Sequence, residues 1–245
     1  MILGLIPSRL NSKRLKNKPL LKIDGLPIII HTLKRAMMST KLDKVIVCTD
    51  SKKIVSIVKE YGGQAILTSK NHSNGSERIF EVAKKYKKLK LVIDIQGDEP
   101  LVDPKDIDKV VKFHLKNKSF DIVVPSMISK KPDPQSVVKV VFNKNNKVLY
   151  FSRAKIPFNY KDKKNFQYFK DLSIVSFKPT ALEKFTKFGM SKIEKEEGIE
   201  LLRALDNDLS IGTYVSTGTS FSVDVNEDLL KAINVMPTNK YRKMY

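Results

Sequence analysis

The sequence predicts an α/β fold, a mostly parallel sheet flanked by helices, with a β-rich excursion inserted into it. Three observations carry this. Short apolar runs alternate with segments of helical periodicity through the first half of the chain. After about residue 135 strand-like runs follow one another with few helical segments between them. The length, 245 residues with 41% hydrophobic, suits one large α/β domain with a substantial core. Residues 1–245 are therefore read as a single domain, with about 135–190 as the excursion within it.

Met1–Ile6 reads as a buried strand. Pro27 opens a helix through Ser39, because Ile28, Ile29, Thr32, Leu33 and Ala36 recur at close to 3.6-residue spacing. Val45–Thr49 is a second strand. Ile54, Ile57, Val58 and Tyr61 mark the next helix face, and Gly62-Gly63 stops it. Ala65–Thr68 and Leu91–Ile95 are further strands, Pro104 starts a helix to about Lys116, and Ile122–Pro125 follows as a fifth strand. Strands spaced by helices in this rhythm imply parallel βαβ units with right-handed crossovers. Val137–Phe142 and Val148–Phe151 flank Asn143–Lys147, a hairpin signal. Leu172–Phe177 is a strand of the excursion, behind a lysine-rich loop. Glu194–Leu205 reads as a helix, Ser222–Val225 as a late strand before a final helix, and Pro237–Tyr245 as a frayed tail.

Composition narrows the function classes. No run of 18 apolar residues exists, which argues against membrane insertion. One cysteine, Cys48, excludes an intramolecular disulfide framework and makes the cytoplasm the default compartment. The formal net charge is +20, but arginines number only seven among the 46 basic residues. Nucleic-acid binders favour clustered arginines with interleaved aromatics, so a general lysine bias is the better reading. A positive field still attracts an anionic nucleotide.

Open parallel sheets bind ligands at the carboxyl ends of their strands, so the loops there carry the candidates. The first, Ile6–Leu20, places five cations, Arg9, Lys13, Arg14, Lys16 and Lys18, within ten residues after strand one. A polyphosphate needs such convergence of forked arginine donors and compact lysine charge. The glycines of a dinucleotide fingerprint or Walker A loop are absent. The second, Asn71–Arg78, is a polar turn into a helix; Ser76 is the expected N-cap, and His72 is more readily structural than catalytic. The third, Asp94–Pro100, puts Asp98 at a strand terminus opposite the basic loop, an arrangement suited to Mg²⁺, with Gly97 allowing close approach. The fourth, Ser222–Leu229, offers Asp224 as a second metal ligand or as a neighbour of the last helix's cap.

Together these segments resemble the 3-deoxy-manno-octulosonate cytidylyltransferase (CMP-Kdo synthetase) family over about residues 2–232. The motifs are Ile6–Leu20, Cys48-Thr49-Asp50, Gln96-Gly97-Asp98-Glu99-Pro100, Val138–Val141 with Tyr150–Pro157, and Val223–Leu229. The resemblance implies a nucleotide-diphospho-sugar transferase fold with a dimerising β arm. It implies transfer of CMP from CTP to the anomeric hydroxyl of a 3-deoxy-octulosonic acid for lipopolysaccharide biosynthesis, with Mg²⁺ as cofactor and a homodimer as the assembly. It further implies roles for residues. Arg9 and Lys18, with Ser8, Ser12 and Arg14, hold phosphates; Asn74, Gly75, Ser76 and Arg78 face cytidine; Asp98 and Asp224 bind Mg²⁺. Gln96, Lys139 and Arg153 line the sugar-acid side, and at least one of Glu194, Glu197 and Glu200 meets sugar hydroxyls.

The departures from the family fall mainly on that sugar side. Asn74 and Ser76 stand where the family carries Ser and Thr, keeping hydrogen-bonding capacity but changing shape; Thr217–Ser222 replaces a glycine-rich loop, and Asp171 stands where many members carry histidine. Asp171 could pair with an amine, which makes an 8-amino analogue of the sugar acid a candidate substrate. The rivals are a cytidylyltransferase for a sialic-acid-like nonulosonic acid, a basic nucleic-acid-binding protein, and a nucleotide-binding regulator without catalysis.

Overall fold

A computed structural model of the chain describes residues 1–12, 14–129, 137–161, 166–218 and 220–245. Lys13 and Thr219, both within the motifs above, lie outside the described residues. The first half of the chain runs β1 (Ile2–Ser8), a hairpin of β2 (Lys22–Ile23) and β3 (Leu26–Pro27), α1 (Ile28–Met37), β4 (Lys44–Thr49), α2 (Lys52–Glu60) and β5 (Gln64–Leu67). Then come α3 (Gly75–Ala83), β6 (Leu91–Ile95), α4 (Pro104–Lys116), β7 (Ile122–Val123), β8 (Ser126–Ser129), β9 (Lys139–Phe142), β10 (Val148–Ser152) and β11 (Tyr168–Asp171). The chain closes with β12 (Ile174–Phe177), α5 (Pro179–Lys187), α6 (Lys192–Glu197), α7 (Leu202–Asp206), β13 (Ile211–Gly212), β14 (Val215–Ser216) and α8 (Asn226–Val235).

A seven-stranded sheet in the order β13-β7-β12-β6-β1-β4-β5 forms the middle layer. All its pairings are parallel except those of β12, which runs antiparallel to β6 and β7. The period-2 alternation of the strands sends alternate residues to opposite faces. Leu3, Leu5, Ile46, Cys48 and Val92 pack with Ile79, Val82, Leu182, Phe185 and Leu202 of α3, α5 and α7. Ile6, Val47, Ile93 and Ile95 pack on the other face with Leu33, Ile54, Val58, Val110 and Val111 of α1, α2 and α4. Each such fully buried aliphatic side chain contributes about 1.5–3 kcal/mol. Chain order reverses about β1, since β4 lies on one side of it and β6 on the other. The crevice beyond Ser8 and Ile95 is therefore a topological switch point.

The second sheet has the order β10-β9-β11-β8-β14, antiparallel except where β14 meets β8. Its composition differs from the reading of the excursion in two ways. It begins at Ser126 and recruits Val215–Ser216 from beyond residue 190. The strand at Leu172–Phe177 leaves it altogether: β12 enters the main sheet between β6 and β7, because Ile174 and Phe177 are needed to cover the core.

Three further expectations fail. Glu194–Leu205 is two helices, since Gly198 adopts φ 61° and ends α6. Ser222–Val225 forms no strand; its Val223 N–H donates to the Asp98 carbonyl instead. The terminal residues are docked rather than frayed. Tyr245 Oη meets His31 Nδ1 at 2.8 Å, Arg242 pairs with Asp24, and Tyr241 Oη donates to Asp103.

Candidate active site

At the switch point lies a cleft of about 400 Å³ whose walls include Ser8, Arg9, Ser12, Arg14, Lys18, Gly75, Arg78, Gln96 and Asp98. Its geometry follows from local sequence. Leu15 is buried, so the basic loop folds back, and Pro19 starts a single 3₁₀ turn at Lys18–Leu20. That turn aims Lys18 into the cleft. A Cβ on Gly97 would lie 2.7 Å from the Pro7 carbonyl oxygen, so only glycine lets β6 turn this close to β1. Asp98 is delivered by that turn. Asp224 arrives from the far end of the chain. The Val223 N–H donates to the Asp98 carbonyl at 2.9 Å, Val223 is fully buried, and Asp228 Oδ2 accepts from the Asp224 N–H at 3.0 Å.

The two aspartates meet around one ammonium. Lys18 Nζ lies 2.5 Å from Asp98 Oδ2 and 3.1 Å from Asp224 Oδ1. Arg14 Nη2 reaches the same Asp224 oxygen at 2.8 Å. Burial alone would lower the lysine's pKa. The charges and hydrogen bonds of Asp98, then Asp224, outweigh that and raise it above the ordinary value. Both carboxylates keep about a third of their side-chain surface exposed, so they stay open to other ligands. Arg9 stands on the rim and donates to the Ser73 carbonyl.

The Asn71–Arg78 turn is built differently from the reading. Asn74, not Ser76, caps α3: its Oδ1 accepts from the Glu77 N–H at 2.8 Å, and the Glu77 carboxylate accepts from the Ser73 N–H. Ser76 is the buried second residue of α3 and bonds Glu200. Arg78 touches the cleft, but its Nη1 and Nη2 are spent on Thr68, Ser69 and Asp50. It braces the cleft wall rather than presenting a free cation. His72 is structural, bonded to Glu81 at 2.6 Å.

Of the residues assigned to the sugar side, Gln96 lines the cleft after β6, while Lys139, Arg153 and Asp171 gather at the root of the second sheet. Lys139 is 1% exposed and donates to the carbonyls of Val137 and Arg153. Arg153 donates to the carbonyls of Glu197 and Gly198, while the Glu197 carboxylate accepts from Ser152 Oγ and the Arg153 N–H. Asp171 ends β11 nearby, where burial pushes its carboxyl up to about 6 against the pull of its backbone N–H and Arg153. Glu194 does not join them. Both of its oxygens take Arg203, at 2.6 and 2.8 Å, in a buried bidentate pair, and it closes the capping box of α6 with Ser191. Of the three glutamates Glu200 is the one lying against the Asn71–Arg78 turn, through Ser76. Burial pushes it up to about 7, and its Oε1 is buried without a partner.

Two further acids, Asp94 and Glu99, are buried on either side of Asp98 in the sequence. Asp94 is buried in β6 and holds Gln96 Nε2 at 3.0 Å. Glu99 accepts from Ser220 Oγ, which ties down the loop before Asp224, and burial pushes Glu99 up to about 7. The signal for Asp94 was present: an acid inside Leu91–Ile95, where the neighbours are all aliphatic.

The cytidylyltransferase family profile matches residues 3–211. Two relatives carry the name 3-deoxy-manno-octulosonate cytidylyltransferase. That of Fusobacterium nucleatum is 38% identical over 98% of each chain; that of Thermodesulfovibrio yellowstonii is 37% identical over 92% of this chain and 94% of its own. A solved CMP:2-keto-3-deoxy-manno-octonic acid synthetase complexed with CTP superposes with a TM-score of 0.91 at 30% identity, covering 97% of this chain and 98% of that one. A cytidylyltransferase from Leptospira borgpetersenii, 19% identical with a TM-score of 0.67 over 97% and 87% of the chains, shares the fold. The chain belongs to the cytidylyltransferase family, among the 3-deoxy-manno-octulosonate cytidylyltransferases, and is an enzyme of the nucleotidyltransferase type.

Proposed function

We propose that the chain transfers CMP from CTP to the anomeric hydroxyl of 3-deoxy-manno-octulosonic acid (Kdo) and releases pyrophosphate. The convergence of Asp98 and Asp224 on one ammonium, inside a cleft walled by Arg9, Arg14 and Ser12, carries the reading. Two partly exposed carboxylates beside a polyphosphate cradle are the donor set a hard divalent cation prefers. Asp98 and Asp224 would hold Mg²⁺, which when bound supplies charge neutralisation on the triphosphate.

The sugar's 2-hydroxyl oxygen forms a bond to the α-phosphorus of CTP. The bond from that phosphorus to the β-phosphate oxygen breaks, and the hydroxyl proton passes to water. No covalent enzyme intermediate is required, so positioning and charge stabilisation carry the rate. Arg9, Arg14 and Lys18 bind the triphosphate and stabilise the charge that collects on pyrophosphate. Gln96 and the cluster of Arg153 and Asp171 face the acceptor.

One observation favours a second acceptor, the 8-amino analogue. Glu99 is buried and Asp171 half-buried, and the charge of Asp171 helps raise the Glu99 pKa. An ammonium between them would relieve that repulsion. The assembly we infer is a homodimer through the second sheet and its loops, where Leu149, Phe158 and Tyr160 are 58%, 81% and 87% exposed. No helix among the described residues is long and apolar enough to cross a membrane. A cytoplasmic setting fits a lone cysteine that is buried and unpaired.

Pyrophosphate release with CTP and Mg²⁺ tests the reading against Kdo, its 8-amino analogue and a sialic-acid-type nonulosonic acid. Turnover with an octulosonic acid supports it. Turnover with the nonulosonic acid alone, or with none of the three, refutes it.

A further inference from the structure

Asp94 is placed where the fold gains nothing from a charge. It lies in β6 between Ile93 and Ile95, on the face that otherwise presents Val92 to the core. An unpaired acid there costs desolvation free energy. Its contacts indicate its use. Oδ2 accepts from Gln96 Nε2 at 3.0 Å, while Oδ1 is buried with no hydrogen-bond partner. Burial, then the charges of Glu200 and Asp98, hold the carboxyl well above the usual carboxylate range. A proton on Oδ1 leaves Oδ2 an acceptor, so Oδ2 holds an N–H in either protonation state. Gln96 in turn forms part of the cleft wall beside Gly97 and Asp98. An amide anchored through its NH₂ group presents its carbonyl oxygen at the free corner.

We propose that Asp94 is a positioning residue that fixes the polarity of the Gln96 amide, so that the cleft wall offers a carbonyl acceptor and selects a hydroxyl donor on the incoming sugar. The proposal rests on the reading of the cleft as the site of CMP transfer. The opposite amide orientation would present NH₂ and suit a carboxylate or keto oxygen. Asp94 itself touches no substrate; it acts through Gln96.

Two substitutions in the full chain separate this from a structural role. Asp94→Asn reproduces the neutral acid, with a carbonyl facing Gln96 and an N–H₂ in place of the protonated oxygen. Asp94→Leu keeps the branched shape, with somewhat greater bulk, but removes the acceptor. The Leu variant should raise the KM for Kdo about tenfold, the scale of one lost hydrogen bond. Its KM for CTP should stay unchanged, with Tm at or above that of the parent. The Asn variant should stay within about twofold of the parent in every constant, since it keeps the hydrogen bond. Loss of Tm without a change in the Kdo KM would mark Asp94 as merely structural and overturn the proposal. A second readout needs no substrate. The Gln96 side-chain NH₂ resonances of ¹⁵N-labelled protein, assigned by their loss in Gln96→Glu, should move in Asp94→Leu and hold in Asp94→Asn. Unmoved resonances in the Leu variant would refute the amide anchor directly. If the parent turned over no sugar acid, the CMP-transfer reading would fall, and the amide spectrum would still decide whether Asp94 holds Gln96.

Discussion

Removing Glu194 should cost the protein its stability and leave its affinity for the sugar acid alone. Glu194 and Arg203 are each about 95% buried, and two hydrogen bonds join them. Hydrogen bonding to Glu194 leads the causes that raise the Arg203 pKa above its ordinary value. Truncation to alanine leaves the guanidinium buried and uncompensated, a penalty of about 3–5 kcal/mol. The capping box of α6 goes with it, for about 1 kcal/mol more. At about 2–4 °C per kcal/mol for a chain of this size, Tm should fall by roughly 10–20 °C. Calorimetry on Glu194→Ala measures this, and the double variant Glu194→Leu/Arg203→Met should recover most of the loss, because an apolar pair fills the same space. The KM for Kdo, measured well below the melting range, should match the parent's. A Tm loss under about 3 °C, or a raised Kdo KM at unchanged stability, would refute the reasoning and return Glu194 to the sugar side.

Glu200 should make stability depend on pH. Burial raises its folded pKa from 4.5 to about 7, so the folded state binds the extra proton and stability falls as pH rises through that window. Across it the loss attributable to Glu200 is about 3 kcal/mol, and Glu200→Gln should flatten the Tm–pH curve between those limits; parallel curves would contradict this. Arg9→Ala should lower kcat/KM for CTP by about 2–4 kcal/mol in transition-state stabilisation without changing Tm, and an unchanged kcat/KM would remove Arg9 from the phosphate cradle. Light scattering should report a dimer for the parent and a monomer for Phe158→Asp/Tyr160→Asp; a parent that is monomeric would end the proposed assembly.

The fold was legible wherever periodicity and caps agreed. Leu91–Ile95 matches to the residue, and Pro104 marks the start of α4, because each has a clear start. Non-local pairings were not. Nothing within Ile174–Phe177 says that it crosses to the main sheet, since that depends on which strands leave an edge open. The tail was misread because its anchors, His31, Arg35 and Asp24, lie some 200 positions upstream. In the site, residue types pointed to the basic loop and the acid loop, which the structure brings to one cleft. Partner choice was beyond reach. Whether Glu194, Glu197 or Glu200 turns to the cleft depends on Arg203 holding the first, and on Ser152 Oγ and the Arg153 backbone N–H holding the second. Ser76 was a plausible cap by type, yet Asn74 won because Gly75 already adopts the first helical turn.

The central claim is that Asp98 and Asp224 act as one unit in phosphoryl transfer. A double-mutant cycle on pyrophosphate release from CTP and Kdo at saturating Mg²⁺ tests it, using Asp98→Asn, Asp224→Asn and the pair together. Groups that act as a unit are grossly non-additive, so each single variant should lose roughly a thousandfold in kcat and the pair hardly more. Near-parental turnover in either single variant, or losses that multiply in the double, would contradict the account.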